Sequence, residues 1–182
     1  MKNWLWLGGL ALLAGCTGMP RGVEPVSGFE LESYLGHWYE IARLDHRFER
    51  GLDKVSAHYA RRPQGGVAVI NRGYATATGQ WKEAHGRAYF IGDPTIGRLK
   101  VSFFGPFFGS YNIIALDHEH YEYALVCGPS RKYLWILARR PDLDPAVRKA
   151  LVERAAELGF ATEELIYPRH QPVAKMSDWP QQ

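Results

Sequence analysis

With 182 residues and a net charge of +3 at pH 7, the chain has room for one domain and its core, which excludes a two-domain enzyme. The charge is too weak and too scattered for nucleic-acid binding. Aromatic residues at 13%, with Gly and Pro recurring at short intervals, favour strands joined by turns and hence an all-β class.

Lys2 is the only charge before Arg21, and residues 4–14 form an apolar run broken only by Gly8 and Gly9 and ending at Gly15-Cys16. This is the order of a signal peptide, 1–15, closed by a lipobox. The run is too short to remain as a spanning helix, and small residues at 14 and 15 let a peptidase grip extended chain beside the cysteine. Cys16 supplies the thiol that receives diacylglycerol. A diacyl thioether plus an acyl amide, with chains of the palmitate class, makes the attachment permanent at about 0.8 kcal/mol per buried methylene. Thr17, being no Asp, resembles the sorting signal of Gram-negative lipoproteins bound for the outer membrane, which places the domain on its periplasmic face. Residues 16–28 carry Gly18, Pro20, Gly22, Pro25 and Gly28 without apolar periodicity and read as a flexible tether.

From Trp38 onward, β-prone runs alternate with turn signals. The expected strands are 38–44, 55–61, 67–74, 81–91, 99–104, 111–116, 123–127 and 133–138. Successive strands with short links describe an eight-stranded up-and-down antiparallel sheet, which removes its two edges by closing into a barrel around a small cavity. One helix follows. Asp144 is its N-cap, Pro145 its first residue and Gly159 its stop, and its apolar stripe is expected to dock on the outside of the barrel. Residues 165–167 add a short strand, the domain covers 29–168, and 169–182 read as a loose tail.

Three separated motifs identify a family. Gly36-His37-Trp38-Tyr39-Glu40 opens the first strand, Ala115-Leu116-Asp117 ends the sixth, and 136–141, with Arg139, closes the eighth. In this order and spacing the chain resembles the lipocalins, and more closely the bacterial outer-membrane lipocalins related to apolipoprotein D. The resemblance implies that Trp38 plugs the closed end of the barrel with Arg139 across its ring, a cation–π lid, and that Gly36 and Asp117 serve the same structural motif. Leu116 departs from the Thr of many relatives, and the turn after it carries His118-Glu119-His120. The cysteine pairs of vertebrate relatives are absent.

Side chains alternate along a strand, so the phase of Trp38 and Arg139 extends to their neighbours. Counting from Trp38 puts Glu40 and Ala42 inside, and counting back from Arg139 puts Leu137, Trp135 and Tyr133 inside. By alignment with the family, Val101, Phe103, Tyr111, Ile113, Ala124 and Val126 also face inward, with Tyr59 and Asn71 as further ligand-binding residues. Ala42, Gly86 and Ala124 are expected to leave space. The wall suits an acyl chain whose polar head stays near the mouth.

No constellation for catalysis stands out, and neither a cofactor nor a metal is expected. His118 and His120 supply too few metal ligands. His37, His46, His58 and His85 are scattered, residues 105–109 are no phosphate cradle, and Ser27 and Ser110 lack a nucleophile's surroundings. Cys127 reads as a buried small hydrophobe. The leading expectation is a non-catalytic binder of fatty acids or lysophospholipids, held at the membrane by its N-terminal lipid. An enzyme using Cys127 or Glu40 on a lipophilic substrate, and a structural lipoprotein with a filled core, remain open, as does pairing into a homodimer.

Overall fold

The computed structural model describes residues 17–170. The lipobox and Cys16 therefore lie outside the described residues, as does the chain after His170. Eight strands run in order around a closed antiparallel barrel: β1 (Gly36–Arg43), β2 (Leu52–Arg61), β3 (Val67–Ala75), β4 (Gln80–Phe90), β5 (Arg98–Phe104), β6 (Phe107–Leu116), β7 (Tyr123–Cys127) and β8 (Leu134–Ala138). Each of the eight expected barrel strands is present. β6 begins four residues early because Phe104 pairs with Phe107 across a tight Gly105-Pro106 turn, so most of the bulky 105–109 segment belongs to a hairpin.

Two apolar layers result from the period of two. The inner one contains Trp38, Tyr59, Val69, Leu99, Ile113, Ala124, Val126 and Leu137. The outer one joins Ile41, Ile114, Leu125, Cys127, Leu134 and Ile136 to Leu151 and Ala155 of the helix α2 (Pro145–Glu157). The Asp144 side chain accepts from the Ala146 and Val147 amides with Pro145 behind it, so the cap works as the residue types dictate.

In this topology the β1–β2, β3–β4, β5–β6 and β7–β8 links share one end, the mouth. The other end is closed by a short helix, α1 (Leu31–Tyr34), which the sequence reading missed: one turn is too short for a periodic signal. Trp38 is fully buried beneath it and donates from Nε1 to the Tyr34 carbonyl at 2.8 Å.

Four expectations need correction. Ala42 belongs to the outer layer, not the lumen. The register of β1 against β8 shifts between Glu40 and Ala42, a bulge that reverses the side-chain phase and turns Arg43 inward instead. Residues 20–28 are no free tether. Val23 is buried in the outer layer, Val26 exchanges hydrogen bonds with Ile113 and Gly97 at 2.8 Å each, and Ser27 bridges Ile96. Valines placed between turn residues gave this segment enough apolar surface to dock. At the other terminus, residues 165–167 contribute one bridge, Ile166 to Arg43, rather than a strand. Arg169 bonds to Asp53 and His170 to the Glu40 carbonyl, so the first residues of the expected loose tail are held.

Candidate functional site

The closed end is built around Trp38. The Arg139 guanidinium lies 4.0 Å from its ring centroid and donates to the carbonyls of Tyr121, His37 and Ser33 at 3.1, 2.9 and 2.7 Å. Gly36 has φ of +93°, a backbone conformation that favours glycine, which accounts for its place at the head of the first motif. Asp117 serves the same end. Its carboxylate accepts from the amides of Glu119, His120 and Glu122, so it shapes the turn after β6 by capping it.

Above this plug stand three phenols. Tyr111 Oη lies 2.8 Å from Tyr34 Oη and 2.9 Å from Tyr59 Oη, with Tyr34 packed on Trp38 at 4.6 Å between centroids. Burial, the dominant influence, raises all three hydroxyls above their ordinary pKa, so they stay protonated as neutral hydrogen-bonding groups.

Toward the mouth the lumen carries charge. Arg43, 2% exposed, donates from Nη1 to Glu40 Oε1 at 2.6 Å and from Nη2 to the carbonyls of Glu49 and Leu52 at 3.0 and 3.2 Å. Glu49, on the β1–β2 link, accepts from Trp135 Nε1 at 3.1 Å and pairs with His46 Nε2 at 3.0 Å. Burial first, and then the charge of Glu49, raise the Glu40 carboxyl well above its usual range despite Arg43. Burial also pushes Glu49 up, but bonds to His46, Glu40 and Trp135 and the His46 charge outweigh it and hold Glu49 lower. The two carboxyls thus form a coupled pair, Glu40 shifted toward its neutral form and Glu49 toward its charged one, with Arg43 on Glu40 Oε1. This cluster ties the link over the mouth to β1 and β8.

Most of the expected wall is assembled. Tyr59, Ile113, Ala124, Val126 and Leu137 are buried in the inner layer, and Val101, Phe103, Tyr111 and Trp135 pack against it while only partly buried. Asn71 shares the inward phase of Val69, and its Oδ1 finds no partner among the described residues. Tyr133 stands at the mouth with its ring 6.3 Å from that of Trp135. Ala42 is absent from the lumen for the reason given, and the space at Gly86 is taken by Phe103, whose ring would lie 2.8 Å from a Cβ there. Arg43, Glu49 and His46 were missed. The bulge hid the phase of Arg43, and the other two lie on a link without periodicity. Four exposed aromatic residues, Phe48, Trp81, Phe104 and Phe107, surround the opening.

This plan of plug, lumen and mouth link has close relatives. The pattern of the lipocalin-like domain matches residues 29–170. The chain belongs to the lipocalin-like family. The lipocalin is 55% identical to the outer membrane lipoprotein Blc of Vibrio cholerae over 160 residues, covering 88% of this chain and 94% of that protein. It is also 55% identical to outer membrane lipoprotein Blc of Escherichia coli strain K12, over 81% of this chain and 83% of that one. Apolipoprotein D of Mus musculus matches at 28% identity, over 86% and 90%. Among solved structures, insecticyanin from Manduca sexta superposes with a TM-score of 0.69 at 22% identity, covering 86% of this chain and 89% of that one, which supports the fold. By its likeness to these lipoproteins the lipocalin is an outer-membrane protein of the lipid-anchored kind.

Proposed function

We propose that this lipocalin binds fatty acids or lysophospholipids in its barrel, at the periplasmic face of the outer membrane, and stores or carries them during envelope stress and repair. One observation carries the reading. Inward-facing Val101, Phe103, Tyr111 and Trp135 keep accessible surface, and in a closed barrel such surface faces an internal space rather than the outside. That space has an aromatic and aliphatic wall with polar groups at its floor and mouth, a match for a chain with a head group. Its ligands are those within reach of a lipid on Cys16. Storage without chemistry is supported by the placement of the two residues able to act as nucleophile or base. Cys127 lies in the outer layer, with its thiol pushed up to about 12 by burial, and Glu40 is occupied by Arg43 and Glu49.

The test is titration of Trp135 fluorescence. Saturable quenching by a long-chain fatty acid or a lysophospholipid is expected, and no quenching up to the solubility limit defeats the reading. Lipid recovered chemically altered after prolonged incubation would favour an enzyme instead.

A further inference from the structure

The segment leading back from the barrel toward Cys16 runs to the mouth, not to the plug. Phe29 is bonded to Thr95 at the closed end, and Val26 to Gly97 and Ile113 along the wall. Further back, the Arg21 carbonyl accepts from Arg131 Nη2 at 2.8 Å, and Arg131 belongs to the β7–β8 link. Met19 packs on the outer apolar layer. Only Thr17 and Gly18 separate Met19 from Cys16, a reach of about 10 Å. The described chain thus leads back to the rim.

The rim is built unlike the rest of the surface. Phe48, Phe104 and Phe107 are 61%, 75% and 70% exposed, the first on the β1–β2 link and the other two at the ends of β5 and β6 that flank their turn at the same end. Water-exposed phenyl rings grouped beside an opening mark a contact surface. Around them the exposed cations Arg47, Lys82, Arg87 and Lys132 form no ion pair with a carboxylate among the described residues, whereas the nearby Asp45 and Asp53 are taken by Arg50 and Arg169, which leaves Glu83, bonded to His85, to offset one of the four. The Arg87 guanidinium sits against Gly105 between the two hairpin phenylalanines, where a Cβ would come 2.6 Å from Nη2. The charge left over at this end is positive.

We propose that the anchored barrel rests mouth-down on a phospholipid bilayer containing anionic lipid, with Phe48, Phe104 and Phe107 in the interface and the rim cations facing lipid phosphates. Aromatic side chains suit that depth, and cations near an anionic surface add to the attraction. This rests on the lipid-anchored binder proposed above and extends it: with the opening against the leaflet, an acyl chain passes between bilayer and lumen without crossing water.

The experiment uses the lipidated chain in phosphatidylethanolamine vesicles, with or without phosphatidylglycerol as roughly a quarter of the lipid. An environment-sensitive fluorophore is attached through Phe107→Cys at the rim or Asp142→Cys near the closed end. Cys127 is buried and does not compete. Blue-shifted emission at position 107, quenched by lipids brominated on their acyl chains, is expected, with solvent-like emission at 142. Arg47→Glu with Arg87→Glu should lower the inserted fraction in the anionic vesicles by roughly fivefold or more per cation. Equal, solvent-like emission at both positions overturns the proposal. So does a blue shift at 107 that bromine does not quench, which would mean a second copy covers the rim. Mass spectrometry of the same sample separates the two failures, since a Cys16 without lipid sinks the anchored reading itself.

Discussion

The Arg139 guanidinium stands 4.0 Å from the Trp38 ring centroid while binding three backbone carbonyls from α1, β1 and the turn before β7. One side chain thus joins the plug to the three segments that surround it, and planar multidentate donation is what a lysine cannot reproduce.

Arg139→Ala should therefore destabilise the barrel by about 4 kcal/mol, summing three hydrogen bonds at about 1 kcal/mol each with a cation–π contact of similar size. Thermal unfolding would show a Tm lower by roughly 8–16 °C, and Arg139→Lys should recover less than half. A Lys variant as stable as the parent would mean that charge alone matters there.

The Glu40–Glu49 pair sets a pH dependence with a definite sign. Because the Glu40 carboxyl is raised, the folded state keeps a proton that the unfolded chain releases above the ordinary carboxyl pKa of about 4.3. Stability from this group is complete below that pH and declines as pH rises toward the folded pKa. Glu40→Gln preserves a neutral donor and acceptor and has no proton to lose. Its stability relative to the parent should grow with pH above about 4.3 in urea titrations, and parallel curves for the two proteins would contradict a retained proton.

Val101 faces the lumen and is only partly buried, so Val101→Trp should fill internal space rather than strain a packed core. Calorimetric titration with palmitate should show saturable binding abolished, with Tm within a few degrees of the parent. Retained affinity would place the ligand outside the barrel.

The α2 cap offers a local control. Asp144→Ala removes the acceptor for two amides, a loss of about 1 kcal/mol and roughly 2–4 °C in Tm. Ligand binding at the opposite face of the wall should not change.

Chain order alone determined the barrel, because alternation of period two and turn residues at short intervals are local signals that survive in any context. It also determined the inward phase of β8, counted back from Arg139, while the Trp38–Arg139 plug and the inward phase of β5 through β7 followed from motifs and an alignment that match a family. Only the tertiary structure decided what lies at the mouth. A single bulge in β1 sent Ala42 outward and Arg43 inward, and no residue type announces such a slip. Glu49 and His46 reached Trp135 from a link whose path is fixed by Arg43 gripping its carbonyls. Residues 20–28 docked because two valines found the barrel wall. In each case the deciding partner is distant in the chain, and burial beside it, rather than any local pattern, selects the conformation.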